Sequence, residues 1–152
     1  MKLAEALMQR ADAQKRIQQL RERLARVARV QEDETPPENP QELLDELGGT
    51  LQTLRSMIKR INRTNSATLF EAGVTLTDVL AERDLLALER GVLEGLIQIA
   101  AQQNFRYGRS EIKYVITVNI AELQKRMDTL ARDYRDLDAR IQAMNWAVDL
   151  LD

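Results

Sequence analysis

Apolar residues recur through most of this chain in alternating steps of three and four, the spacing that gathers side chains onto one stripe of an α-helix. From about residue 2 to 30 the stripe is Leu3, Ala6, Arg10, Ala13, Ile17, Leu20, Leu24 and Val27. Arg10 interrupts it, and Ala6 and Ala13 narrow it, so this end of the helix admits a close neighbour. The segment EDETPPENP, residues 32–40, which overlaps an acidic, Pro-rich loop at 31–39, cannot continue a helix. Asn39 followed by Pro40 restarts one, with a capping side chain and a proline in the first turn. This second helix, about 40–64, carries Leu44, Leu47, Leu51, Leu54, Ile58 and Ile61 as its expected seam. Gly48 and Gly49 lie inside it and predict a local weakening or kink, each costing about 1 kcal/mol against alanine.

The pattern then changes period. Leu69-Phe70 and Val74-Thr75-Leu76 flank Glu71-Ala72-Gly73, which predicts a small β-hairpin at about 67–76. A third helix, about 76–103, follows, with Thr75 and Asp78 in a capping arrangement. It has two apolar stripes, one of Leu85, Leu88, Val92, Leu96 and Ile99 and another of Leu86, Leu93, Ile97 and Ala100. A helix apolar on two sides is expected at the centre, covered by several neighbours. Alternation through Ile112, Tyr114, Ile116 and Val118 predicts a short strand at about 111–118. The fourth helix, about 119–151, is capped by Asn119 with Glu122. Its a positions are Ile120, Met127, Tyr134, Ile141 and Val148, and its d positions Leu123, Leu130, Leu137, Met144 and Leu151. Asp133 at g and Asp138 at e would oppose each other in a parallel, in-register homodimer, so antiparallel or heterologous packing is favoured.

Together these elements predict a mainly α fold. It is a single domain over 1–152, an elongated antiparallel bundle of four long helices with coiled-coil-like seams. The hairpin and the strand flank opposite ends of a helix some 28 residues long, about 40 Å apart. Their pairing is therefore expected across a subunit interface, in a homo-oligomer.

Composition supports helices and removes much chemistry. Apolar residues make up 44% of the chain and aromatics only 4%, so the core is aliphatic. Cys and His are both absent. No thiolate nucleophile, imidazole base or usual zinc ligand set exists, and the expectation is a non-enzyme with no cofactor and no metal. Residues 1–30 hold eight Lys or Arg against three acids, while 31–46 hold seven acids and no base. This reads as a basic helix neutralised by the acidic stretch after it. With a net charge of −2, it is not the footprint of a nucleic-acid binder. The amino-terminal MKLAEALMQR has no apolar core of a secretory signal, and no run approaches the roughly 20 apolar residues of a spanning helix, so a cytoplasmic location is expected.

Two polar clusters are the candidate binding or interface residues: Asn62, Arg63 and Asn65 at the end of the second helix, and Arg106, Arg109, Ser110, Glu111 and Lys113 before the strand. Each also reads as an ordinary helix end or solvated loop, since neither contains a nucleophile held by a base. Trp146, the single tryptophan, falls at an f position away from the seam and is expected in a second interface.

The segments MKLAEALMQRADAQKRIQQLRERL, RINRTNSAT, GVTLTDVLAERDLL, RSEIKYVITVNIAELQK and LDARIQAMNW, in that order, resemble a family of small bacterial helical proteins of uncharacterised function, some labelled septicolysin. The label implies membrane damage, and the resemblance brings no functional residues with it. Three functions remain in view. The first is a structural or protein-interaction role for a cytoplasmic oligomer. The second is a membrane-active protein whose amphipathic first helix engages anionic lipid. The third is a small-anion or nucleotide module built on Arg63, Arg106 and Arg109.

Overall fold

The computed structural model describes residues 1–102 and 113–152. Four helices and a two-stranded hairpin follow one another as α1 (Leu3–Val27), α2 (Pro40–Ala67), β1 (Leu69–Glu71), β2 (Val74–Thr75), α3 (Leu76–Ala100) and α4 (Ile120–Ala147). The chain divides into two compact units, one of 1–77 with 142–152 and one of 78–141.

In the first unit α1 and α2 form an antiparallel hairpin. Leu20, Val27 and Leu43 are buried together, with Leu24 and Leu47 packed against them. Every seam position of α1 is buried or half-buried, Arg10 included. Arg23 binds Glu38 with Nε 3.1 Å from both carboxylate oxygens, and Arg16 binds Glu46 a little further along. From Arg16 to Arg23 along α1 the partner steps back from Glu46 in α2 to Glu38 just before it, as antiparallel helices require. The Asn39 side chain accepts from the Gln41 backbone N–H at 2.9 Å, which fixes the start of α2.

The seam of α2 keeps Leu47, Leu54 and Ile61 of the predicted row and replaces the other three positions. Leu43, Leu47, Thr50, Leu54, Met57, Ile61 and Thr64 turn inward, while Leu44, Leu51 and Ile58 are exposed. In each heptad one position moves back by one residue, from Leu44 to Leu43, Leu51 to Thr50 and Ile58 to Met57, while the other stays. The reason lies in the two threonines. Thr50 and Thr64 donate their hydroxyls to the carbonyls of Glu46 and Arg60, at 2.9 and 2.8 Å, so their polar atoms are satisfied and their methyl groups can be buried. Ala13 of α1 and Gly49 and Thr50 of α2 line one groove between the two helices. The expected kink at Gly48-Gly49 does not occur, and α2 runs unbroken through both.

The hairpin pairs Leu69 with Thr75 and Glu71 with Val74, with an irregularity between the two pairs. Gly73 takes φ 78°, a left-handed turn conformation that glycine adopts without a Cβ penalty. In the second unit, α3 and α4 run antiparallel. Arg83 holds Asp138 at 2.8 Å, and Glu89 pairs with Arg126, so residues advance on one helix as they recede on the other. The e-position Asp138 and the g-position Arg126 thus flank the packing of α4 on α3. Asn119 accepts the Glu122 backbone N–H at 3.1 Å, one half of the predicted capping box.

Two expectations are corrected. Residues 113–118 enter no strand: Tyr114, Val115 and Ile116 are exposed and have no ladder partner. Alternation alone does not make a strand without an edge to pair with. Residues 111 and 112 of that prediction lie outside the described residues. The second correction concerns α3, which is covered on one stripe only.

Candidate interaction surfaces

Helix α3 sorts its two apolar stripes differently. Val79 and Leu93 are buried and Leu86, Ile97 and Ala100 half-buried, on the side that also carries Arg83. The other stripe, Leu85, Leu88, Val92, Leu96 and Ile99, is bare, from 37% exposed at Leu96 to 72% at Ile99. Five large aliphatic residues along four turns of one helix are an exposed apolar patch of the kind that marks an interaction site. In the first unit, Leu44, Leu51 and Ile58 form a second, shorter row at heptad spacing.

The electrostatics of both units are those of structural ion pairs. Hydrogen bonding to Arg23 holds the Glu38 carboxyl below the usual glutamate range, against the opposing effect of burial, and the same bond raises Arg23. Burial works against the Arg83 charge, yet its bonds to Asp138 and Asp84 raise its pKa. Hydrogen bonding to Lys2 lowers Asp149. Among the described residues no group of three or more acidic side chains is arranged to hold a metal ion, and no helix is long and apolar enough to cross a membrane.

Among the described residues no hydrogen bond or ion pair joins one predicted site residue to another. Asn62 and Arg63 are exposed on α2 and Asn65 is half-buried, neighbours only through the helix that carries them. Trp146 is exposed in the last turn of α4, in the first unit, and Lys113 is exposed in the second. Arg106, Arg109, Ser110 and Glu111 lie outside the described residues.

The polar residue that does organise its surroundings is Thr64, fully buried. Besides donating to Arg60, its hydroxyl accepts the Leu151 backbone N–H at 3.0 Å. Arg60 reaches the Leu151 carbonyl at 3.1 Å and Asp152 at 2.8 Å. The Leu150 N–H donates to the Met1 carbonyl and the Leu3 N–H to that of Val148, both at 2.9 Å. Lys2 adds an ion pair with Asp149 at 2.9 Å. The terminal segments and the end of α2 are thereby clasped together. Thr64 stands in step with Met57 and Ile61 at three-four spacing, the one signal in the sequence that places it inside.

By fold and surface this is a helical-hairpin protein with open apolar rows. The chain belongs to DUF6847, a family of unknown function whose model matches residues 10–150. It is similar to a functionally unknown conserved protein from Corynebacterium diphtheriae, known from a crystal structure. The two share 45% identity over 99% of each chain, with a TM-score of 0.89. No curated protein matches it.

Proposed function

We propose that this protein is a non-catalytic, cytoplasmic oligomer with a structural or protein-interaction role. The observation that carries the reading is the bare α3 row, Leu85 to Ile99. Apolar side chains at seam spacing gain free energy when another helix removes them from water, about 25 cal/mol for each Å² covered. The second exposed row, on α2, supports the same reading. Oligomerisation through β-pairing at 111–118 has less support than helix packing, because residues 113–118 are not in a strand. Light scattering across a concentration series tests the proposal. The expected result is a mass at least twice that of the chain, and a monomer at every concentration would sink it.

A membrane-active, septicolysin-like role is the second reading. The same α3 row favours it, since an exposed aliphatic face also suits a lipid surface. The first helix, where amphipathic character suggested lipid binding, has its apolar stripe occupied by the hairpin. Co-sedimentation with anionic and neutral vesicles separates the two readings: binding to vesicles by the wild type, lost on Val92→Asp, supports the membrane role. The small-anion module has only exposed Arg63 to support it among the described residues. A thermal shift with phosphate or nucleotides tests that alternative.

A further inference from the structure

We propose that the partner of the α3 row is the α3 row of a second copy of the chain, running antiparallel about a two-fold axis at Val92. This rests on the oligomeric reading above and assigns its surface, partner and orientation.

The argument begins with symmetry. Counted from Val92, the exposed row lies at −7, −4, 0, +4 and +7, that is Leu85, Leu88, Val92, Leu96 and Ile99. The pattern reads the same in both directions. Turning a second α3 end for end about Val92 sets Leu85 against Ile99 and Leu88 against Leu96, so every bare side chain meets an aliphatic one. An isologous contact requires such self-complementarity, in which each residue meets its counterpart's partner twice.

Charge then chooses the direction. Asp84 and Glu89 flank the row on opposite sides. A parallel pairing in register brings Asp84 of one copy toward Glu89 of the other, acid against acid. The antiparallel pairing instead brings Asp84 beside Gln98, and Glu89, already paired with Arg126, beside Leu96. No like charges are opposed there. Gly91 and Gly95 border the row nearest the axis, and a Cβ built at either meets nothing within 4 Å of its own chain. Within the single chain these glycines cost helix stability with no packing in return. At the two-fold they let the backbones come close.

The absence of cysteine makes the test direct. Helix axes about 8–10 Å apart, less the 2.3 Å radius of each helix, leave the two Val92 Cα atoms within a disulfide's reach of about 4.4–6.8 Å. The two Leu85 residues would lie about 21 Å apart. Under mild oxidation V92C is expected to form a covalent dimer, L85C alone to stay uncrosslinked, and L85C mixed with I99C to give a heterodimer. All three positions are exposed, so the variants keep the fold, checked by circular dichroism. V92D, setting two carboxylates at the axis, is expected to weaken association on the order of a hundredfold while leaving helicity unchanged.

Self-crosslinking of L85C to the same extent as V92C would show a parallel pairing and overturn the proposal. A chain that is oligomeric by light scattering but does not crosslink through Val92 overturns the surface assignment and leaves the oligomeric reading standing. A chain monomeric at all concentrations overturns both.

Discussion

The α1–α2 hairpin and helix α3 carry the same kind of message in sequence and meet different fates. In α1 the three-four row from Leu3 to Val27 is covered throughout. In α3 the row through Leu93 is covered and the row from Leu85 to Ile99 is open to solvent. Heptad spacing states that a helix has a face to bury; it does not state whether the cover comes from the same chain. Where two apolar stripes share one helix, a single-chain fold can satisfy one and leave the other for a partner.

The sharpest way to break this contrast is to truncate one leucine from each row. Leu20, fully buried in the hairpin, is expected to cost about 2–5 kcal/mol as Leu20→Ala in urea unfolding. Leu88→Ala removes the same atoms from the bare row and is expected to change the stability of dilute protein by less than about 0.5 kcal/mol. Equal losses would mean that the α3 row is covered within the single chain. Next in size is Thr64→Val, which keeps the shape but leaves the Leu151 N–H without its acceptor. A loss of about 1–2 kcal/mol is expected, with faster hydrogen exchange at Leu151 as the local sign. An unchanged exchange rate there would remove Thr64 as the centre of the clasp.

Local chemistry made much of this fold legible. Asn39-Pro40 opens α2, Asn119 caps α4, and Glu71-Ala72-Gly73 turns the hairpin, each through contacts within four residues. Asp133 and Asp138 spoke only against a parallel homodimer through α4, and within the chain Asp138 is bound to Arg83. What resisted reading depends on distant partners. The choice between Leu44 and Leu43 as the inward row of α2 is made by α1 and by the back-bonded threonines, and leucine spacing fits either. The clasp joins residues nearly a chain length apart, such as Lys2 with Asp149, and leaves no periodic trace. Tyr114, Val115 and Ile116 alternate like a strand but find no edge. The polar candidates were chosen by composition, and composition does not bring residues together. Asn145, next to the d position Met144 and outside the a and d rows, is buried at 5% exposure, a tertiary outcome that heptad spacing does not announce.

Smaller effects refine the contrast. Gly49 is exposed, and an added Cβ meets nothing within 4 Å, so Gly49→Ala is expected to stabilise the hairpin by about 1 kcal/mol in thermal unfolding. A loss instead would mean that α1 approaches α2 more closely than its side chains show.

The smallest effect is on pH dependence, and in the hairpin its source is Glu38. Glu38 is held below its ordinary range chiefly by the hydrogen bond from Arg23, so the folded state binds its proton less readily than the unfolded chain does. The stabilisation is therefore fully present above the ordinary glutamate value of about 4.3 and disappears as pH falls through the lower folded value. Glu38→Gln cannot ionise and lacks this dependence. The two proteins are expected to differ at pH 7, with the wild type slightly the more stable, and to converge below about pH 4. Thermal unfolding followed from pH 7 down to 3 measures the convergence. Parallel curves would mean that the Arg23–Glu38 pair orders the end of the acidic loop without contributing to stability, as many exposed pairs do. The hairpin would then be held by its covered aliphatic row alone, and the contrast with α3 would rest on apolar cover without help from charge.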